Sequence, residues 1–114
     1  MENKNERKIV DSIISQLASD CDVLIFGSRY YGKAWEYSDL DLAFIGPGKL
    51  GLQRCFQLED AFAESDLPYR VDVLDYHAIS PEFRAIIDGG NEKIFSRIEK
   101  ADADNEIIKA QAVT

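Results

Sequence analysis

The sequence predicts an α/β fold of the α+β kind, a small mixed β-sheet with helices packed on one face, and three observations predict it. Ile9, Val10, Ile13, Ile14 and Leu17 recur at intervals of three and four between Glu6 and Ser19, the spacing of an amphipathic helix. Val23-Leu24-Ile25-Phe26 is an unbroken apolar run, too short for a helix and closed by Gly27, as in a buried central strand. Arg70 to Tyr76 alternates Val71 and Val73 with Asp72, the period of a strand with two different faces.

The remaining elements follow in order. Ser28 to Ser38 is rich in glycine and tyrosine and weakly patterned, with room for one helical turn before Leu40 to Ile45 resumes strand character. Gly46-Pro47-Gly48 is a turn. Leu52, Cys55, Leu58 and Phe62 then mark a second helix, from about Gly48 to Ser65, ending before Pro68. Ser80-Pro81-Glu82 opens a third helix, with Ser80 as cap and proline in the first turn, and Gly89-Gly90 ends it. A further amphipathic turn or two is expected through Ile94, Phe95 and Ile98. Past Lys100 the residues are short or charged, so 101–114 is expected to be a frayed or partner-dependent tail.

With 114 residues, 46% of them hydrophobic, the chain has enough apolar surface for one core and too little for two, so 1–114 reads as a single domain. Thirteen Lys and Arg stand against 21 Asp and Glu, a net charge of −8 that repels a phosphate backbone and argues against broad nucleic-acid binding. The charged start, Met1 to Lys8, precedes no apolar stretch of signal-peptide or membrane-span length, and a cytoplasmic protein is expected. Cys21 and Cys55 make neither a zinc cluster nor a disulfide framework. His77 is the only histidine, so any catalytic metal falls to carboxylates and is a hard ion, Mg²⁺ or Mn²⁺.

Carboxylates in a suitable pattern are present. Asp39 and Asp41 flank Leu40 at the start of the second strand, and side chains two apart on a strand share a face. Like charges on an otherwise apolar face are costly unless a cation lies between them. Asp72 repeats the pattern within a strand able to pair beside the second. An isolated Asp-x-Asp is most often a turn or strand-entry pair, and an isolated Asp72 most often faces solvent on an edge strand. Gly27-Ser28, directly after a buried strand, shifts that balance, because such a turn lets amides and a hydroxyl approach phosphate oxygens.

The run GSRYYGKAWEYSDLDLAFIG, Gly27 to Gly46, resembles the signature of the DNA polymerase β-like nucleotidyltransferase superfamily, in particular its minimal nucleotidyltransferases: Gly-Ser, about ten residues, Asp-x-Asp, and a third acid on a later strand. The resemblance spans roughly Ile9 to Asp75. It implies the polymerase β-like nucleotidyltransferase fold, with Gly27, Ser28 and Arg29 as nucleotide-binding residues. It also implies that Asp39, Asp41 and Asp72 are the catalytic acids that hold two Mg²⁺ ions, or Mn²⁺. The donor would be ATP or another nucleoside triphosphate. Members of the group often act beside a helical HEPN-type toxin, and the resemblance implies an antitoxin that adds AMP to a hydroxyl of that partner. A chain this short has little room for a deep acceptor pocket of its own, which agrees with an acceptor supplied by another protein. Two alternatives stay open: a non-catalytic nucleotide-binding module that restrains its partner by covering it, and transfer to a small molecule. Tyr30, Tyr31 and Trp35 stand where the family more often has small or basic residues; they suit base stacking, a protein contact or plain packing.

Overall fold

Asn3 starts the first helix by accepting the amides of Asn5 and Glu6 on its side-chain carbonyl at 2.9 and 3.1 Å, so α1 (Lys4–Leu17) begins ahead of its apolar stripe. The structure is a computed structural model and describes residues 3–98; the expected tail at 101–114 lies outside the described residues. Val10, Ile14 and Ala18 bury the inner face of α1 completely or nearly so. After it come β1 (Asp22–Phe26), β2 (Leu40–Ile45), α2 (Leu52–Ala63), β3 (Val71–Asp75), a 3₁₀ turn (Tyr76–Ala78), α3 (Pro81–Asp88) and β4 (Glu92–Phe95).

The sheet order is β3-β2-β1-β4, with β1 antiparallel to both neighbours and β2 parallel to β3. A parallel pair needs a crossover, and α2 provides it. Alternation along each strand makes two cores. Val23, Ile25, Leu40, Leu42, Phe44, Val71 and Val73 face α1 and α2 in the larger one. Leu24, Phe26 and Ala43 face Ile87 of α3 in the smaller. Two of the three helices thus share a face, and α3 lies on the other.

The mixed sheet is the one expected, and β2 has the expected bounds. α2 starts at Leu52 rather than near Gly48, because Gly51 takes φ +88°, outside the helical region, directly before it. Two expectations are overturned: the helices do not all pack on one face, because Ile87 of α3 covers Leu24, Phe26 and Ala43 on the other, and Ile94 and Phe95 do not continue a helical pattern but lie in β4, with Val23 of β1 opposite Phe95. Without β4, the apolar β1 would present an open row of backbone donors and acceptors along that edge. A helix of one or two turns closes too few hydrogen bonds to compete with that pairing. Beyond the strand, the amides of Arg97 and Ile98 donate to the Asp22 carboxylate and the Ser19 carbonyl. No helix among the described residues is long and apolar enough to cross a membrane.

Candidate active site

Because Leu40 and Leu42 enter the larger core, Asp41 between them must point to the opposite face; Val71 and Val73 impose the same on Asp72. The parallel register pairs Asp41 directly with Asp72. Adjacent strands lie about 4.8 Å apart, so the two carboxylates meet on the face that carries α3. Burial, then the charge of Asp72 and its shared hydrogen bond, then Asp39, push the Asp41 carboxyl up to about 6. Arg70 sits two residues before Asp72 on the same side of the chain, and its guanidinium lies 3.1 Å from the Asp72 carboxylate. Asp39 is exposed and lies one residue outside β2, so it joins this pair from the incoming loop rather than from the strand.

The loop begins with a close approach. Gly27 has φ +76°, and a Cβ at that position would overlap the Asp41 carboxylate. Only glycine lets the backbone turn so near the acids. Tyr31 N–H then donates to the Gly27 carbonyl at 3.1 Å, closing a single helical turn. The amides of Ser28, Arg29 and Tyr30 precede that first ring, in the position of the unpaired donors at a helix N-terminus, and the Ser28 side chain is exposed beside them.

Arg29 turns away from this surface. Its Nε and Nη2 donate to the Ser38 carbonyl at 3.0 and 2.6 Å, Nη2 also reaches the Glu36 carbonyl at 3.1 Å, and the guanidinium lies 3.8 Å over the Tyr69 ring. Tyr30 and Tyr31 meet edge to face and close on Gly90, where a Cβ would collide with Tyr31. Trp35 and Tyr37 remain 83% and 66% exposed. His77 donates through Nε2 to the Gly46 carbonyl at 2.8 Å, tying the end of β2 to the 3₁₀ turn away from the acids. A cavity of about 680 Å³ opens beside Arg29 and Tyr69, but none of the three acids lines it, and Glu6, Glu36 and Glu92 make it unsuited to a triphosphate.

The donor set fits a hard divalent cation. Among the described residues no three acidic, histidine or cysteine side chains form a ready-made cage. Mg²⁺ rarely uses one; it takes one or two carboxylates and completes its octahedron with water and substrate phosphate. Asp41 against Asp72, with Asp39 in the incoming loop and the Gly27-Ser28 turn packed close to Asp41, is an arrangement of that type. Sequence reasoning passed over Tyr69 and Arg70. Arg70 carried a signal, an opposite charge two residues from Asp72 on one strand face; Tyr69 carried none, since its contact with Arg29 spans forty residues.

The family model described as Polymerase beta, Nucleotidyltransferase matches residues 10–100. The chain belongs to the polymerase beta nucleotidyltransferase family. Within this family it is 51% identical, over 82 residues covering 72% of each chain, to a protein of Haemophilus influenzae named Probable protein adenylyltransferase MntA. Solved nucleotidyltransferase folds superpose on it. A toxin-antitoxin crystal structure with AMP-PNP gives a TM-score of 0.69 at 19% identity, over 94% of this chain and 88% of the other. A complex of tri-AMPylated Shewanella oneidensis HEPN toxin with MNT antitoxin gives 0.65 at 17% identity, over 96% and 84%. At these identities the structural likeness speaks for the fold, while the Haemophilus relative carries the likeness to the adenylyltransferase.

Proposed function

We propose that this chain is a cytoplasmic, Mg²⁺-dependent protein adenylyltransferase that moves AMP from ATP to a hydroxyl of a HEPN-type toxin and so acts as its antitoxin. The observation that carries this reading is the pairing of Asp41 with Asp72 beside the Gly27-Ser28 turn in a chain 51% identical to MntA. Asp39 and Asp41 would hold two divalent ions, with Asp72 completing the set on the side of the incoming hydroxyl. Bound there, Mg²⁺ or Mn²⁺ would supply charge to offset the triphosphate and to lower the pKa of the attacking hydroxyl.

The protein's own part is positional. The Gly27-Ser28 turn presents amides and a hydroxyl to the triphosphate and holds it for in-line attack at the α-phosphorus, with pyrophosphate leaving. Arg29 serves nucleotide binding from beneath, by closing the loop over which the phosphates lie. The acceptor comes from outside, to the sheet face where Asp41 and Asp72 lie beside the short α3.

Incubation of the chain with its HEPN-type partner, ATP and Mg²⁺ should add adenylyl groups to the partner, read by intact-mass spectrometry. A partner left unmodified by a folded, ATP-binding chain would overturn the reading. The Asp39→Asn, Asp41→Asn double variant should lose transfer while still binding its partner; equal antitoxin effect from that variant would mean restraint by covering alone.

A further inference from the structure

We infer that Arg29, seated on Tyr69, is a positioning residue that holds the Asp39 carboxylate at the metal site; the inference rests on the metal-dependent reading above. Asp39 lies outside β2, where no strand pairing fixes it. Its two neighbours are fixed instead. The Ser38 carbonyl, directly before it, accepts from Arg29 Nε and Nη2, and the Leu40 amide, directly after it, donates to the Arg70 carbonyl at 2.9 Å. The guanidinium itself rests on the ring of Tyr69, which is 7% exposed and belongs to the larger core. One side chain therefore joins the Gly27-Ser28 turn, the peptide before Asp39 and the residue before Arg70.

Arginine suits this task for a geometric reason. Its planar fork donates in one plane to the Ser38 and Glu36 carbonyls while its face lies on an aromatic ring. A lysine offers a point charge and cannot do both. Loss of the clamp frees the end of the loop, and the exposed Asp39 then spends less time beside Asp41. Removing a support of this kind behind a metal ligand typically weakens metal binding by about 10- to 100-fold.

Mn²⁺ alone, with free ion read by electron paramagnetic resonance, is titrated into the wild-type chain and into Arg29→Gln, Arg29→Lys, Tyr69→Leu and Tyr69→Phe, each melted in parallel. Arg29→Gln and Tyr69→Leu should weaken Mn²⁺ binding at least about tenfold, with Arg29→Lys recovering only part of the loss. Tyr69→Phe should bind as the wild type does, because Arg29 rests on the ring face, which phenylalanine keeps. Unchanged Mn²⁺ affinity in folded Arg29→Gln, with loss confined to a non-hydrolysable ATP analogue, would overturn the inference and make Arg29 a phosphate contact. Should Arg29→Gln fail to fold, unchanged affinity in Arg29→Lys and Tyr69→Leu overturns it equally. A wild-type chain that binds no Mn²⁺ overturns the metal reading as a whole, whereas wild-type binding with unaltered variants overturns the clamp alone.

Discussion

Asp41 stands directly opposite Asp72 in the parallel pairing of β2 and β3, and both carboxylates face away from the larger core. Like charges directly opposed in a sheet cost about 0.2–1 kcal/mol. Asp41→Asn should therefore raise the melting temperature of the metal-free chain by a few degrees while lowering adenylyl transfer at least about 100-fold. Thermal melts and a transfer assay on one preparation check both; a variant that melts lower and keeps its activity would remove Asp41 from the site.

The same pair sets a pH dependence. Asp41 in the folded chain titrates at about 6, above its ordinary 3.8. Between those values the folded chain keeps a proton that the unfolded chain has lost, so stability falls as pH rises through that window. A cation acts in the opposite sense. Below about pH 6 it must displace the proton, and apparent Mn²⁺ affinity should fall by up to about tenfold per pH unit. Titrations from about pH 5 to 8 measure the slope; affinity independent of pH below 6 would show that Asp41 is no ligand.

Gly27 is the position where the fold leaves least latitude. Ala there meets a positive φ and the Asp41 carboxylate at once. Gly27→Ala should cost about 1–3 kcal/mol in urea unfolding and abolish measurable Mn²⁺ binding, because either the turn or Asp41 has to move. Wild-type Mn²⁺ affinity in this variant would show that the close approach is dispensable.

His77 is placed for structure, since its Nε2–H serves the Gly46 carbonyl and its amide serves Asp75. His77→Ala should lower stability by about 1 kcal/mol and leave the transfer rate of the remaining folded protein within about twofold. A large fall in transfer without a fall in stability would give the imidazole a part in the chemistry after all.

Several of these features are legible in the linear chain because they depend on neighbours in sequence. The stripe in α1, the cap at Ser80, the stop at Gly46-Pro47-Gly48 and the bounds of β2 follow from side-chain periodicity and local backbone preference. Ile94 and Phe95 are the counterexample. Their spacing suits a helix, and an unpaired edge of β1, seventy residues earlier, decides that they form a strand.

Residue types, the Gly27-Ser28 to Asp39-Leu40-Asp41 spacing and the presence of a single histidine by themselves determined the chemistry to expect: carboxylates suited to a hard cation near a glycine turn that phosphate could approach. Tertiary structure decided which of those groups meet. The parallel register put Asp72 against Asp41 rather than beside Leu40 or Leu42, and the packing of Tyr69 turned Arg29 from the loop surface to the loop's underside. Strand register and long-range stacking are chosen by which faces can be buried together, a property of the whole core that local sequence does not contain.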